Sequence, residues 1–252
     1  MKKIVCILFL FSLMTVLSSC IKKNAVLTTP KEYEITSNIS SLNIEINAAD
    51  FKIEVSDKFR VVSNLKYLTV TEKDGTLNII DKIKQSVNYT NAILELYIPR
   101  EFIFEKIDIS TGAAKLTSCA LFANKFDLEL GAGLIEIDSI NAYQSIEIDG
   151  GTGAVNIKNG VLNNLSLEMG VGSLNLTASM LGDSELEFGI GTSNITLIGN
   201  KDLYCLKIEK GIGNITVDNE LALNSEKIGT GTNTIKIEGG IGNIDVSFKE
   251  EK

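Results

Sequence analysis

The sequence predicts an all-β protein, a right-handed parallel β-solenoid (β-helix) with about 20 residues per coil and a β-rich amino-terminal cap. Three observations predict it. A Gly-x-Gly unit recurs at a nearly fixed interval, apolar and polar residues alternate on both sides of each unit, and the alternation changes phase across it.

The interval is the strongest signal. First glycines, or their equivalents, stand at 112, 131, 151, 170, 189, 211, 229 and 240, giving steps of 19, 20, 19, 19, 22, 18 and 11. The last step is about half a coil. At Gly112 the second glycine is replaced by Ala114, and "IEINAADFKIEV" (44–55) carries Asn47-Ala48-Ala49 in the same slot.

Ahead of each unit the apolar set is Leu128 and Leu130, Ile146 and Ile148, Leu165 and Leu167, Leu186 and Phe188, Leu206 and Ile208. Behind it come Ile135 and Ile137, Val155 and Ile157, Leu174 and Leu176, Ile195 and Leu197, Ile215 and Val217, Ile235 and Ile237, Ile244 and Val246. Period two means strand with one buried face. Leu130 and Ile135 cannot both point inward in one uninterrupted strand, so Gly131-Ala132-Gly133 must absorb a residue. Glycine does this without a β-carbon clash. The residue between the glycines (Ala132, Thr152, Val171, Ile190, Ile212, Thr230, Ile241) is mostly apolar and is expected to face the core. A third, looser side offers Ile140, Val161, Met180 and Leu203 as inward residues. No window has a 3.6-residue apolar period, so almost no helix is expected. Successive coils should pair in parallel, with right-handed connections.

The amino terminus is read separately. Lys2-Lys3, the apolar run from Ile4 to Leu17 and Leu17-Ser18-Ser19-Cys20 form a secretory signal, too short to span a membrane. The small residues before Cys20 resemble the lipobox of bacterial lipoproteins. That resemblance implies cleavage after residue 19 and acylation of Cys20, with palmitate-type chains holding the protein to a membrane. Residues 20–32 then form the lipidated terminus and a tether, and 33–252 the β-solenoid domain. Within it, 33–100 are the cap and first coils, with Asp74-Gly75 as a hairpin turn, and 101–252 hold the Gly-x-Gly repeats.

Composition excludes whole classes of function. Losing Lys2 and Lys3 takes the net charge from −8 to −10, and Arg60 and Arg100 are the only arginines. No basic stripe exists for nucleic acid. With no histidine and no tryptophan, Ser-His-Asp and Cys-His sites and His-ligated zinc are ruled out, as is sugar stacking on Trp. Cys119 and Cys205 fall about four rungs apart, too far for a disulfide.

The "NIEINAADFKIEV" opening and the spaced "GAGLIEI", "GTGAVNI", "GIGTSNI" and "GIGNITV" units resemble a bacterial family of β-strand repeat proteins, the putative adhesins, and the related auto-transporter adhesin heads. The resemblance runs from Ser41 to Phe248. It implies a right-handed parallel β-solenoid at the cell envelope, with no established catalysis and no site to carry over.

The glycines themselves bind nothing. A dinucleotide loop needs a third glycine before a helix, but Glu136, Asn156, Asn175, Asn194, Thr216, Thr234 and Asp245 stand there, each within a strand pattern. Calcium-binding nonapeptides need Asp where "GGTGAV" has Val155 and "GGIGNI" has Ile244. Asn156, Asn175 and Asn194 should line up outward, either as a hydrogen-bonded amide ladder or as candidate glycan ligands. Outward carboxylates precede the corners, chiefly as a solubilising face. No cofactor and no metal is expected.

These observations point to a non-enzymatic, lipid-anchored envelope protein, an adhesin or a surface binding and structural module. Its expected partners are the membrane, through the lipid, and glycans or envelope or host surface proteins. The alternatives are a periplasmic accessory of envelope-stress signalling and a polysaccharide-active enzyme on a β-helix.

Overall fold

The computed structural model describes residues 23–24, 27–82, 87–88 and 91–250. Residues 1–19, read above as a secretory signal, and Cys20 lie outside the described residues. The protein is all-β and solenoid-like. Among the described residues the one helical element is the 3-10 turn Lys201–Leu203, and no helix is long and apolar enough to cross a membrane.

Parallel pairing follows the repeat interval through the middle of the molecule. Ile146 faces Leu165, and Leu167 faces Leu186, each 19 residues on. On the third side Ile140 faces Gly160, and Leu162 faces Met180. Apolar residues of each strand turn inward and stack on their equivalents. Leu128, Ile148, Leu167 and Leu186 line one wall; Ile137, Ile157, Leu176 and Ile195 line the next. No single coil could bury enough surface to offset its chain entropy, but the stack does.

Both ends depart from chain order. Asp183–Ile198 does not pair with the segment that follows it, but with Asn233–Glu238 and Ile241–Lys249 (Leu186 on Ile237, Ile190 on Ile241). The intervening Tyr204–Glu209 and Ile212–Val217 lie outside these (Leu206 on Ile235, Ile212 on Ile241). Gly229-Thr230-Gly231 is therefore not a corner, and Ile235 and Ile237 precede the Gly240 corner instead of following one. Eleven residues are too few for a circuit. The chain around them makes antiparallel pairs that cover the outer edge, Thr216 with Leu221 and Leu206 with Ile228.

The amino-terminal end is built the same way. Ser41–Ile46 and Asp50–Ser56 sit between residues 106–118 and an outer pair of strands, Thr76–Asp81 and Ile93–Pro99. Asn47-Ala48-Ala49 takes the corner slot expected of it: Ala113 N donates to Asn47 O at 2.6 Å, and Lys115 N to Ala49 O at 3.0 Å. Leu68–Lys73 closes the outer edge by the Asp74-Gly75 hairpin, with φ of 49° and 76°. Arg60–Leu65 closes Ile93–Pro99 and is itself paired by Leu27–Glu34, so residues 27–32, read above as tether, are strand. Antiparallel strands thus blunt both ends of a stack whose bare edges would otherwise template aggregation. Phe59, Phe102 and Phe104 pack edge to face at this end, with centroids 4.7–6.0 Å apart.

The third side is one residue out of the expected phase in two places. Ile140 and Met180 are buried as expected, but Leu162 turns inward instead of Val161. Tyr204 is buried and Leu203 is 50% exposed, because the Asn200-capped 3-10 turn brings Leu203 round to solvent.

The corners resolve the phase change as glycine must. Leu130 and Ile135 are both buried, with 131–133 exposed between them. Gly172 has φ +154°, and a β-carbon there would lie 1.8 Å from the Gly153 carbonyl oxygen of the rung below. The corner middle residue faces outward, contrary to the expectation from its apolar character. Val171 is 46%, Ile190 51%, Ile241 50% and Ile212 74% exposed. Flanking side chains converge beneath the corners and leave cavities of only about 10 and 20 Å³, too small for an aliphatic group.

Candidate functional site

With the interior closed by aliphatic packing, side chains able to meet a ligand stand in outward rows, one residue per rung. The first row is the amide ladder. Asn175 Nδ2 donates to Asn156 Oδ1 at 2.7 Å, and Asn194 Nδ2 to Asn175 Oδ1 at 2.8 Å. The next rung places Asp245 beside Asn194, and Thr216 donates its hydroxyl to Asp245 at 2.5 Å. The central amide, Asn175, spends a donor and an acceptor on its neighbours, so the row is a structural ladder with its remaining N–H and C=O capacity at the surface.

The second row stands directly before the corners. Asp149 pairs with Glu168, Glu168 with Glu187, Glu187 with Glu238, and Glu238 with Glu209. Glu129 begins the row and accepts a hydrogen bond from Ser110 at 3.1 Å. Glu129, Asp149 and Glu168 line a shallow open groove of about 440 Å³, floored by the glycines of the corners.

Two residues earlier runs a third row, and it mixes signs: Asp127, Glu147, Ser166, Glu185, Lys236 and Lys207. The second and third rows come closest at Glu185, Glu187 and Glu238, whose carboxylate oxygens lie within 4.8 Å of one another. An ammonium already serves that cluster. Lys236 Nζ lies 2.8 Å from Glu185 and also contacts Glu238. Hydrogen bonds from these two carboxylates, Glu185 first, push the Lys236 ammonium well above its usual range. At the opposite end, Lys106 bridges Asp108 and Asp127 at 2.8 and 3.3 Å.

A second open groove, also about 440 Å³, lies at the amino-terminal cap. There Arg60 stacks 4.1 Å over the Tyr97 ring and reaches Glu32 at 3.5 Å. Cys119 and Cys205 are free thiols, and burial pushes the Cys119 thiol up.

Residues 6–251 match the Toastrack family, DUF4097, a domain of unknown function. The chain belongs to the Toastrack family. Solved structures with a similar course include a putative adhesin from Parabacteroides distasonis (13% identity, 88% of this chain and 99% of that one, TM-score 0.45). Another is a putative adhesin from Bacteroides fragilis (14% identity, 86% and 95%, TM-score 0.43). A third is a putative lipid binding protein from Parabacteroides distasonis (15% identity, 85% and 96%, TM-score 0.37). No curated protein matches the sequence. Within this Toastrack chain, the structure brings Asn156, Asn175 and Asn194 together as expected. Cys20 lies outside the described residues.

The row that sequence reasoning missed is the apolar one at the corner tips. Its signal was present: a carboxylate stands three residues before every exposed middle residue, as in Glu168 and Val171 or Glu187 and Ile190.

Proposed function

We propose that this Toastrack chain is a non-enzymatic binding module of the bacterial envelope, held to a membrane by acyl chains on Cys20 and acting as an adhesin or surface scaffold. In this reading the solenoid is right-handed with about 20 residues per coil, and it serves as a rigid rod presenting ordered rows of side chains. The supporting observation is the hydrogen-bonded register of Asn156, Asn175 and Asn194, which fixes a flat polar face with one amide per rung. Such a face suits a long, repetitive partner such as a glycan or an envelope protein.

Two measurements on cells test the reading. Palmitate labelling should be lost in Cys20→Ala, and proteases added to intact cells should remove the protein. Persistent labelling overturns the anchor; complete protection from protease points to the periplasmic accessory role instead. Incubating the purified protein with envelope and host polysaccharides should release no fragments. Hydrolysis or elimination would make it an enzyme.

A further inference from the structure

The corner tips carry a row of four exposed branched aliphatics, Val171, Ile190, Ile241 and Ile212, on four consecutive rungs. At ~4.8 Å per rung the row is about 14 Å long. Leu223, 69% exposed, follows at the cap: Ala222 N bonds Ile215 O, which sets Leu223 beyond Asn214 on the outward side. Surface aliphatics normally occur singly, and a contiguous row marks a contact site.

The flanks of the row differ. On the side before the corner every rung supplies a carboxylate: Glu129, Asp149, Glu168, Glu187, Glu238 and Glu209. Of these, only Glu238 makes an ion pair among the described residues. On the side after the corner stand Asn156, Asn175, Asn194, Asp245 and Thr216, mostly neutral. Solubility alone would not demand this. The neighbouring row of Asp127, Glu147, Ser166, Glu185, Lys236 and Lys207 admits lysines, whereas the row beside the aliphatics never does. Stacked like charges repel, and the repulsion recurs along the row, relieved by an ion pair only where Lys236 meets Glu238.

We infer that this edge docks an amphipathic helix of a partner protein whose apolar seam is flanked on one side by lysine or arginine. A helix repeats its seam every turn, ~5.4 Å, close to the ~4.8 Å rung spacing. Three turns along the edge would set three or four seam residues between the aliphatic tips, with the basic flank over Glu168, Glu187 and Glu209. A second copy of this chain fits poorly. It would bring two acidic rows together, and the aliphatic row is too narrow for the ~800 Å² per partner of a standard interface. The inference deepens the binding-module reading and rests on it, but needs neither the lipid anchor nor a surface location.

The test is a titration of the purified full chain against a fluorescent 18-residue helical peptide, with Leu on one seam and Lys along one flank (~18 residues giving five turns). A peptide with Glu in place of each Lys is the control. Saturable binding of the Lys peptide is expected, weakening with added salt, with the Glu peptide bound at least ~10-fold less tightly. The combined substitution Glu168→Gln, Glu187→Gln and Glu209→Gln should weaken binding at least ~5-fold, and Ile190→Ser with Ile241→Ser at least ~10-fold. Glu147→Gln with Glu185→Gln, in the neighbouring row, should leave it unchanged. Should the Ser variant unfold, the Gln variant alone decides.

Absence of saturable binding overturns the inference, as does equal affinity for the two peptides or equal loss in the neighbouring-row variant. Dimerisation, or sedimentation with phosphatidylcholine vesicles, that is lost in Ile190→Ser with Ile241→Ser would assign the edge to another occupant and also overturn it. Failure here with intact surface anchoring would leave the wider proposal standing. Loss of anchoring with intact peptide binding would do the reverse.

Discussion

Asn175 donates its side-chain amide to Asn156 across 2.7 Å, although 19 residues of chain separate them. The contact exists because the backbone pairs in parallel at that interval, and it repeats from Asn194 to Asn175. Replacing Asn175 by Ala removes both bonds at an exposed site. Urea unfolding should show a loss of about 0.5–1.5 kcal/mol, with an unchanged far-ultraviolet spectrum. A loss near zero would mean that the ladder is not formed in solution.

The corner makes a sharper contrast between adjacent residues. Gly172→Ala combines positive φ with a β-carbon 1.8 Å from the Gly153 carbonyl oxygen, a backbone atom that no side-chain rotation can move away. It should cost roughly 3 kcal/mol or more, or prevent folding. Val171→Ala, one residue away and pointing to solvent, should change stability by less than about 0.5 kcal/mol. Thermal unfolding of the two variants checks this.

Much of the fold was legible because a repeat reports its geometry many times over. Period-two alternation placed Leu128, Leu130, Ile135 and Ile137 inward, and the phase change at Gly131 located the corner. The Asp74-Gly75 hairpin was legible because both of its residues favour positive φ. The strand order at the ends was not. Ile208 and Ile237 carry the same pattern, and nothing local says which stacks on Leu186; Ile237 does, with Ile208 one rung further out. The outward aim of Ile190 was also hidden, since an apolar residue reads as core until the void beneath the corner is known. The amide ladder was legible from spacing alone, whereas the exposed apolar row beside it depends on the backbone turning at each glycine.

Phase on the third side gives another test. Leu162→Ala should cost about 2–5 kcal/mol, as expected for a fully buried leucine. Leu203→Ala should cost under about 1 kcal/mol, because Leu203 is half exposed and Tyr204 holds the core position. Chemical denaturation of both variants would expose a one-residue error in this register.

The amino-terminal cap predicts a pH effect. Hydrogen bonds from Ser37, with a further one from the Thr36 amide, hold the Glu72 carboxyl below its ordinary 4.5. A depressed folded-state value gives stability that is present above the unfolded value and is lost as pH falls through the folded one. The stability difference between the native chain and Glu72→Gln should therefore shrink as pH is lowered from about 6 toward 3. Exposure keeps the full effect below about 1 kcal/mol. Denaturation curves across that range measure it, and a difference that grows on acidification would contradict the assignment.

The order of neighbouring rungs lines up the amide, acidic and apolar rows. Glu187 is paired with Glu238, while Glu209 lies one rung further out, on the far side of Glu238. Paired cysteines on adjacent parallel strands fall within disulfide reach, whereas two rungs, ~9.6 Å, do not. Oxidation of Glu187→Cys with Glu238→Cys should give an intramolecular cross-link mapped by peptide mass spectrometry, and Glu187→Cys with Glu209→Cys should give none. Cross-linking of 187 to 209 but not to 238 would restore simple chain order and contradict the structure.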